Sequence, residues 1–151
     1  MARIWIGAGR YYAELEPRLF QVPSAAGLAE EFERDIVAAR GESSVWRVAE
    51  SAGNVVGMVS GRSVDPVPNA EHQLVRYLSV RHVVIDLLVV DPASWRRGIG
   101  TSLVSAVEDW ARERGAELVR LDTFIESPVA MPFYERHLGY RRRSVIFEKH
   151  L

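Results

Sequence analysis

Leu28, Phe32 and Ile36 recur four residues apart, with Glu30, Glu31, Glu33 and Arg34 on the opposite side. This amphipathic stripe predicts a helix that starts at Ser24 as N-cap, runs to about Arg40 and is stopped by Gly41. A second stripe of Leu103, Val104, Val107 and Trp110 predicts a helix from about Ile99 to Arg114, closed by Gly115. Ser127-Pro128 opens a third, with serine as cap and proline at the first position, and Gly139 ends it. Elsewhere the pattern is that of strands. Val45–Ala49 and Val55–Val59 flank the turn Ser51-Ala52-Gly53-Asn54 and predict an antiparallel hairpin. Arg81–Val90 is apolar at both parities, as a strand covered on both faces should be, and Asp91-Pro92 terminates it. Leu118–Thr123 and Tyr140–Phe147 predict two later strands, and Ile4–Ile6 a short first one. Arg10–Val22 reads as less regular because Pro17 and Pro23 limit helix, and Arg62–Gln73, with Pro66, Pro68 and Asn69, as an extended loop. The predicted order is β-α-ββ-β-α-β-α-β, an α/β fold around a mixed sheet.

Composition narrows the class. The 151 residues suit one compact domain spanning 1–151, with no repeat, low-complexity tract or domain linker. A formal net charge of -1 argues against nucleic acid or anionic lipid as partner. The chain has no cysteine, which excludes disulfides, thiolate zinc sites and a cysteinyl intermediate. No apolar run approaches the roughly 20 residues of a membrane span, and the first residues lack a signal-peptide pattern, so a cytoplasmic protein is expected. The four histidines have no metal-ligand spacing, so no metal is expected.

The chemistry concentrates between Val90 and Leu103. A strand that passes through Gly98-Ile99-Gly100 into a helix exposes unpaired backbone N–H groups at the positive end of the helix dipole. The glycines leave room for a ligand to approach the backbone, and Arg96 and Arg97 add charge, so a diphosphate or similar anion is the expected guest. A P-loop would need Lys before the Ser or Thr, yet Thr101-Ser102 follow Gly100 directly. A dinucleotide fingerprint would need Gly or Ala where Leu103 stands.

The segment from Leu87 to Val104, with Val89-Val90-Asp91-Pro92 and Arg96-Arg97-Gly98-Ile99-Gly100-Thr101, resembles motif A of the GNAT superfamily, the Gcn5-related N-acetyltransferases. Ser127 to Tyr140, through Pro132-Phe133-Tyr134-Glu135 and ending in Gly139-Tyr140, resembles its motif B, and Trp46–Met58 resembles its earlier hairpin. The resemblance covers about Val45 to Lys149. It implies a GNAT-like, centrally splayed mixed sheet flanked by helices, with acetyl-CoA as co-substrate. The implied CoA site comprises Leu88, Val89, Val90, Trp95, Arg96, Arg97, Gly98, Ile99, Gly100, Thr101, Ser127, Ala130 and Tyr134. Two positions depart from the family's habit: Trp95 stands where Gln or Arg is frequent, and Ser127 where Asn is frequent.

The resemblance implies direct attack of an amine on the thioester, with backbone N–H groups near Leu88 to Val90 as oxyanion donors. Tyr134 matches the family's frequent general acid, although its spacing with Ala130 and Leu138 also suits plain packing on one helix face. Asp86 interrupts an apolar strand and is the preferred general base, against the alternative of a carboxylate paired with Arg81 or Arg120. His82 is an alternative base and shares the parity of Asp86, so the two would face one site or both face solvent. Arg62–Gln73 is a candidate acceptor lid. The expected acceptor is a small-molecule or peptide amine, and a homodimer is compatible with such folds. The rival class is an acyl-CoA sensor that binds without transfer.

Overall fold

The computed structural model describes residues 1–39, 41 and 43–149. Helices α1 (Ala2–Leu15) and α2 (Leu28–Ala38) precede the hairpin β1 (Ser44–Ser51) and β2 (Asn54–Val64). Strand β3 (His82–Val90), helix α3 (Ile99–Glu113) and strand β4 (Leu118–Leu121) follow. Last comes the short helix α4 (Ala130–Pro132), continued by a π turn over Phe133–His137. The sheet runs β1-β2-β3-β4, antiparallel at the first two junctions and parallel between β3 and β4. It is a mixed sheet with helices on both faces.

One face packs on α3, whose Leu103, Val104, Val107, Trp110 and Ala111 join Val45, Val59, Val83 and Ile85 in the larger core. Each large apolar side chain buried there contributes roughly 1.5–3 kcal/mol. The other face packs on α1 and α2, through Ile4, Leu28 and Phe32 against Met58 and Val89. At the hairpin turn Ala52 and Gly53 both have positive φ, 49° and 75°, the backbone that matches strand twist in a two-residue connection.

Three predicted elements differ. Ile4–Ile6 belongs to α1, not to a strand, and α1 continues through Tyr11 and Tyr12 of the stretch expected to be irregular. Burial explains it: Ile4 is buried, and Met1, Trp5 and Ala8 pack around the same core at helical spacing. Ser24 does not cap α2. Its Oγ accepts from the Ala26 N–H at 3.2 Å, and the helix begins after Gly27, which is left-handed at φ 74°. The predicted end of that helix at Arg40 lies outside the described residues. No strand forms over Tyr140–Phe147, where Val145, Ile146 and Phe147 are 60, 79 and 91% exposed. Strand propensity there meets no partner edge or covering layer.

Candidate functional site

Strands β3 and β4 pair only from His82–Leu118 to Ile85–Leu121. Beyond Ile85, β3 stays on β2 while its β4 side is open. Along this stretch β3 carries a bulge, since Ser60 pairs with Leu87 but Gly61 with Ile85, leaving Asp86 as the extra residue. The bulge switches parity: Val83 and Ile85 face α3 before it, Leu88 and Val90 after it. The Asp91 N–H donates to the Val56 carbonyl at 2.8 Å. Antiparallel alternation from that pair turns the N–H groups of Val90 and Leu88 toward the open side, and that of Val89 toward Met58. Two expected donors therefore line the opening, and the third is within the sheet.

Asp91 ends β3 and starts the glycine loop. It accepts from the Ala93 N–H at 3.1 Å and from the Arg3 guanidinium, which also donates to the Val55 carbonyl at 3.2 Å. The hydrogen bond from Arg3 holds the Asp91 carboxyl below its ordinary value, against some desolvation. Helix α1 is thereby tied to the loop. Arg96 and Gly98 have positive φ, 59° and 78°, and alternation of backbone hand of this kind builds anion-binding concavities. Arg96, Arg97 and Gly98 are exposed, with Ile99, Gly100 and Thr101 partly so at the start of α3. The two glycines have different roles. A Cβ on Gly98 would meet nothing within 4 Å, whereas one on Gly100 would come within 3.1 Å of the Phe133 ring. Gly98 is needed for its conformation, and Gly100 for the approach of the α4 segment to α3. Thr101 Oγ1 lies 3.0 Å from His137 Nε2 at that junction.

Trp95 turns its indole N–H to the Val90 carbonyl at 2.8 Å, so the side chain occupies an acceptor on the open side of β3. Phenylalanine at this position would keep the ring against Tyr11 and lose that bond. Trp95→Phe should cost about 1 kcal/mol and lower Tm by roughly 2–4 °C, measurable by thermal unfolding. An unchanged Tm would mean that solvent satisfies Val90 equally well.

Ser127 is 2% exposed and its Oγ accepts from the Ala130 N–H at 3.0 Å, but regular helix starts only at Ala130 and becomes a π turn at Phe133, so the helix expected from Ser127 to Gly139 is shortened to Ala130–His137. Ala130 begins α4 and is partly buried. Tyr134 does not share a regular face with Leu138, because the Leu138 N–H donates to Phe133 in a π turn. The Tyr134 ring meets Phe133 and Tyr140 at 5.1 and 5.9 Å. Burial holds its hydroxyl far above the ordinary phenol value, and nearby Tyr12 adds to this.

Asp86 pairs with neither Arg81 nor Arg120. Arg62 of β2 lies 3.4 Å from it, and both side chains are near half-exposed. Desolvation raises its carboxyl and Arg62 opposes the rise. His82 is 3% exposed, beneath the Tyr77 ring and 3.2 Å from the Val80 carbonyl through Nδ1. His82 and Asp86 do not both face solvent, since the first is buried and the second 40% exposed. The supposed lid is shorter than expected, because β2 extends through Val64. Its base is closed by Arg81 to Asp65 at 2.7 Å and by the Val67 N–H to Leu78 at 3.0 Å. Arg120 lies over Tyr77, 4.1 Å from the ring centroid.

A row of rings was not anticipated. Trp95 meets Tyr11 at 5.3 Å, Tyr11 meets Tyr12 at 5.2 Å, Tyr12 meets Phe20 at 4.9 Å, and Phe20 meets Phe124 at 5.3 Å. It bridges the open side of β3 to the chain just beyond β4. The Tyr11-Tyr12 doublet was a visible signal, but only the fold brings it to the opening.

A mixed sheet opened between two parallel strands, with a glycine loop leading into a helix beside the gap, is the arrangement that the GNAT resemblance implies. The chain belongs to the acetyltransferase (GNAT) family, whose model matches residues 10–140. It is 37% identical over 59 residues to an uncharacterized N-acetyltransferase of Methanocaldococcus jannaschii, a match spanning 39% of the chain but only 26% of that relative. A mutant of the BH1408 protein from Bacillus halodurans superposes with a TM-score of 0.81 at 20% identity, covering 99% of this chain and 90% of that one. The aminoglycoside N-acetyltransferase AAC(6')-Iy in complex with the bisubstrate analog CoA-S-monomethyl-acetylneamine gives 0.62 at 21%, covering 99% and 92%. These structural likenesses establish the fold. Among the described residues no helix is long and apolar enough to cross a membrane, and no group of three or more His, Asp or Glu could hold a metal ion.

Proposed function

We propose that the chain transfers acetyl from acetyl-CoA to a primary amine by direct attack in a ternary complex. The observation that carries this reading is the opening beside β3, where backbone N–H groups turned away from β2 lead into the glycine loop and the α3 N-terminus. The CoA pyrophosphate sits at the first turn of α3, held by N–H groups of Gly98, Ile99, Gly100 and Thr101 and by Arg96 and Arg97. The pantetheine arm enters between β3 and α4, past Ala130 and Ser127. A neutral amine attacks the thioester carbon after Asp86, directly or through water, takes a proton from the ammonium. The oxyanion that forms is stabilised by the Leu88 and Val90 N–H groups. The carbon–sulfur bond then breaks, Tyr134 donates to the departing thiolate, and the second proton on the former amine nitrogen passes, directly or through water, back to Tyr134. The products are an amide and CoA–SH. The bisubstrate analog bound by AAC(6')-Iy joins CoA to acetylneamine in one molecule, which supports a ternary complex.

Thiol release is a clean readout, because the chain has no cysteine to react with a thiol reagent. Acetyl-CoA with a panel of primary amines should give stoichiometric CoA–SH and acetylamide. Tight acetyl-CoA binding with no transfer to any amine would favour the sensor reading instead.

A further inference from the structure

We infer that the acceptor is a monoamine carried on an aromatic or apolar body, and that Tyr12 and Phe20 select it. This rests on the proposed N-acetyltransferase reading and deepens it. The row Trp95, Tyr11, Tyr12, Phe20 and Phe124 lies on the α1 side of the opening, and each ring is partly exposed. It starts at the indole bonded to Val90 on the open side of β3 and runs through Tyr11 to Tyr12 and Phe20. A group resting on these rings is therefore beside the proposed reacting centre. Leu15, Leu19 and Ile125, chain neighbours of this row, are 40, 49 and 51% exposed and extend the apolar surface.

The charges around β3 and α1 point the same way. A polycation needs several carboxylates with charge to spare. Asp86 faces Arg62, Asp65 faces Arg81, Asp91 faces Arg3, and Glu16 lies 3.9 Å from Arg18. Asp122 and Glu126, which flank Phe124, are exposed, so water screens them. The aromatic faces attract one ammonium and favour an apolar body behind it, but they do not solvate a second or third charge in a different direction.

The test uses tyramine, ethylamine and spermidine as acceptors with saturating acetyl-CoA. The expected kcat/KM for tyramine exceeds that for each of the other two at least tenfold. In Tyr12→Leu and Phe20→Leu, the tyramine-to-ethylamine ratio should fall about tenfold, through KM for tyramine. Each variant's Tm and KM for acetyl-CoA check the fold; if one variant is unstable, the other carries the test. Preference for spermidine, or an unchanged ratio in a folded variant, would overturn the inference while leaving acetyl transfer standing. Failure of all three amines and of every other primary amine would overturn both.

Discussion

Tyr134→Phe should lower kcat for acetyl transfer about 100-fold and leave KM for acetyl-CoA within about twofold. The size follows from the usual contribution of a positioned acid, roughly 10²–10⁴. The substitution keeps the ring contacts with Phe133 and Tyr140 and removes only the hydroxyl. Burial holds that hydroxyl protonated, and proximity to Tyr12 works in the same direction. A phenol held this way gives up its proton reluctantly, so its effect is largest as a hydrogen-bond donor to sulfur while charge develops. Transfer is completed as the carbon–sulfur bond breaks. Two readouts follow from the upward shift. The wild-type rate should show no loss from Tyr134 ionisation below about pH 10, the ordinary phenol value. The defect in Tyr134→Phe should be the same across the neutral range, because the lost group does not titrate there. Stopped-flow measurement of thiol release under single-turnover conditions isolates this step from product release. An unchanged single-turnover rate would remove Tyr134 from the mechanism and leave it as packing.

The parts of this site that can be read along the chain are those set by local patterns. The hairpin at Ala52-Gly53, the apolar strand that becomes β3 and the helix after Gly98 depend on turn chemistry and periodicity over a few residues. The glycine loop ahead of α3 was legible for the same reason. The bulge at Asp86 was not, because it is defined by which β2 residues lie opposite, and without it His82 and Asp86 look alike. Their environments differ sharply: His82 is buried under Tyr77, and Asp86 is near half-exposed beside Arg62. The N-terminal helix was hidden by Ile4 and Ile6, which favour strands, and by two glycines at positions 7 and 9. Its place beside the opening depends on contacts such as Arg3 with Asp91 and Tyr11 with Trp95, across more than 80 residues of chain. The failed strand after Tyr140 shows the converse, since a β-rich segment with no partner edge stays irregular and exposed.

Asp86→Asn should lower kcat/KM roughly 10- to 100-fold at neutral pH and abolish the acid limb of its pH profile. The carboxyl is raised chiefly by desolvation, with Arg62 opposing, so the native state holds the Asp86 proton more tightly than the unfolded chain does. The stability consequence has a definite sign. Such a group contributes stability that is present below its unfolded value and lost as pH rises through its folded value. At pH 7 the ionised carboxylate thus gives no net support from this shift. Its ion pair with Arg62 adds little, because the two side chains are 40 and 50% exposed and water screens them. The Asp86→Asn variant should therefore match or exceed the wild-type Tm at pH 7 while losing activity. A purely structural Asp86 would do the opposite, with a lower Tm and an unaltered pH–rate profile. If the acid limb survives in Asp86→Asn, another group or bulk water accepts the proton. A carboxylate at this position costs stability in an otherwise apolar strand, and under the proposed mechanism that cost has a chemical use.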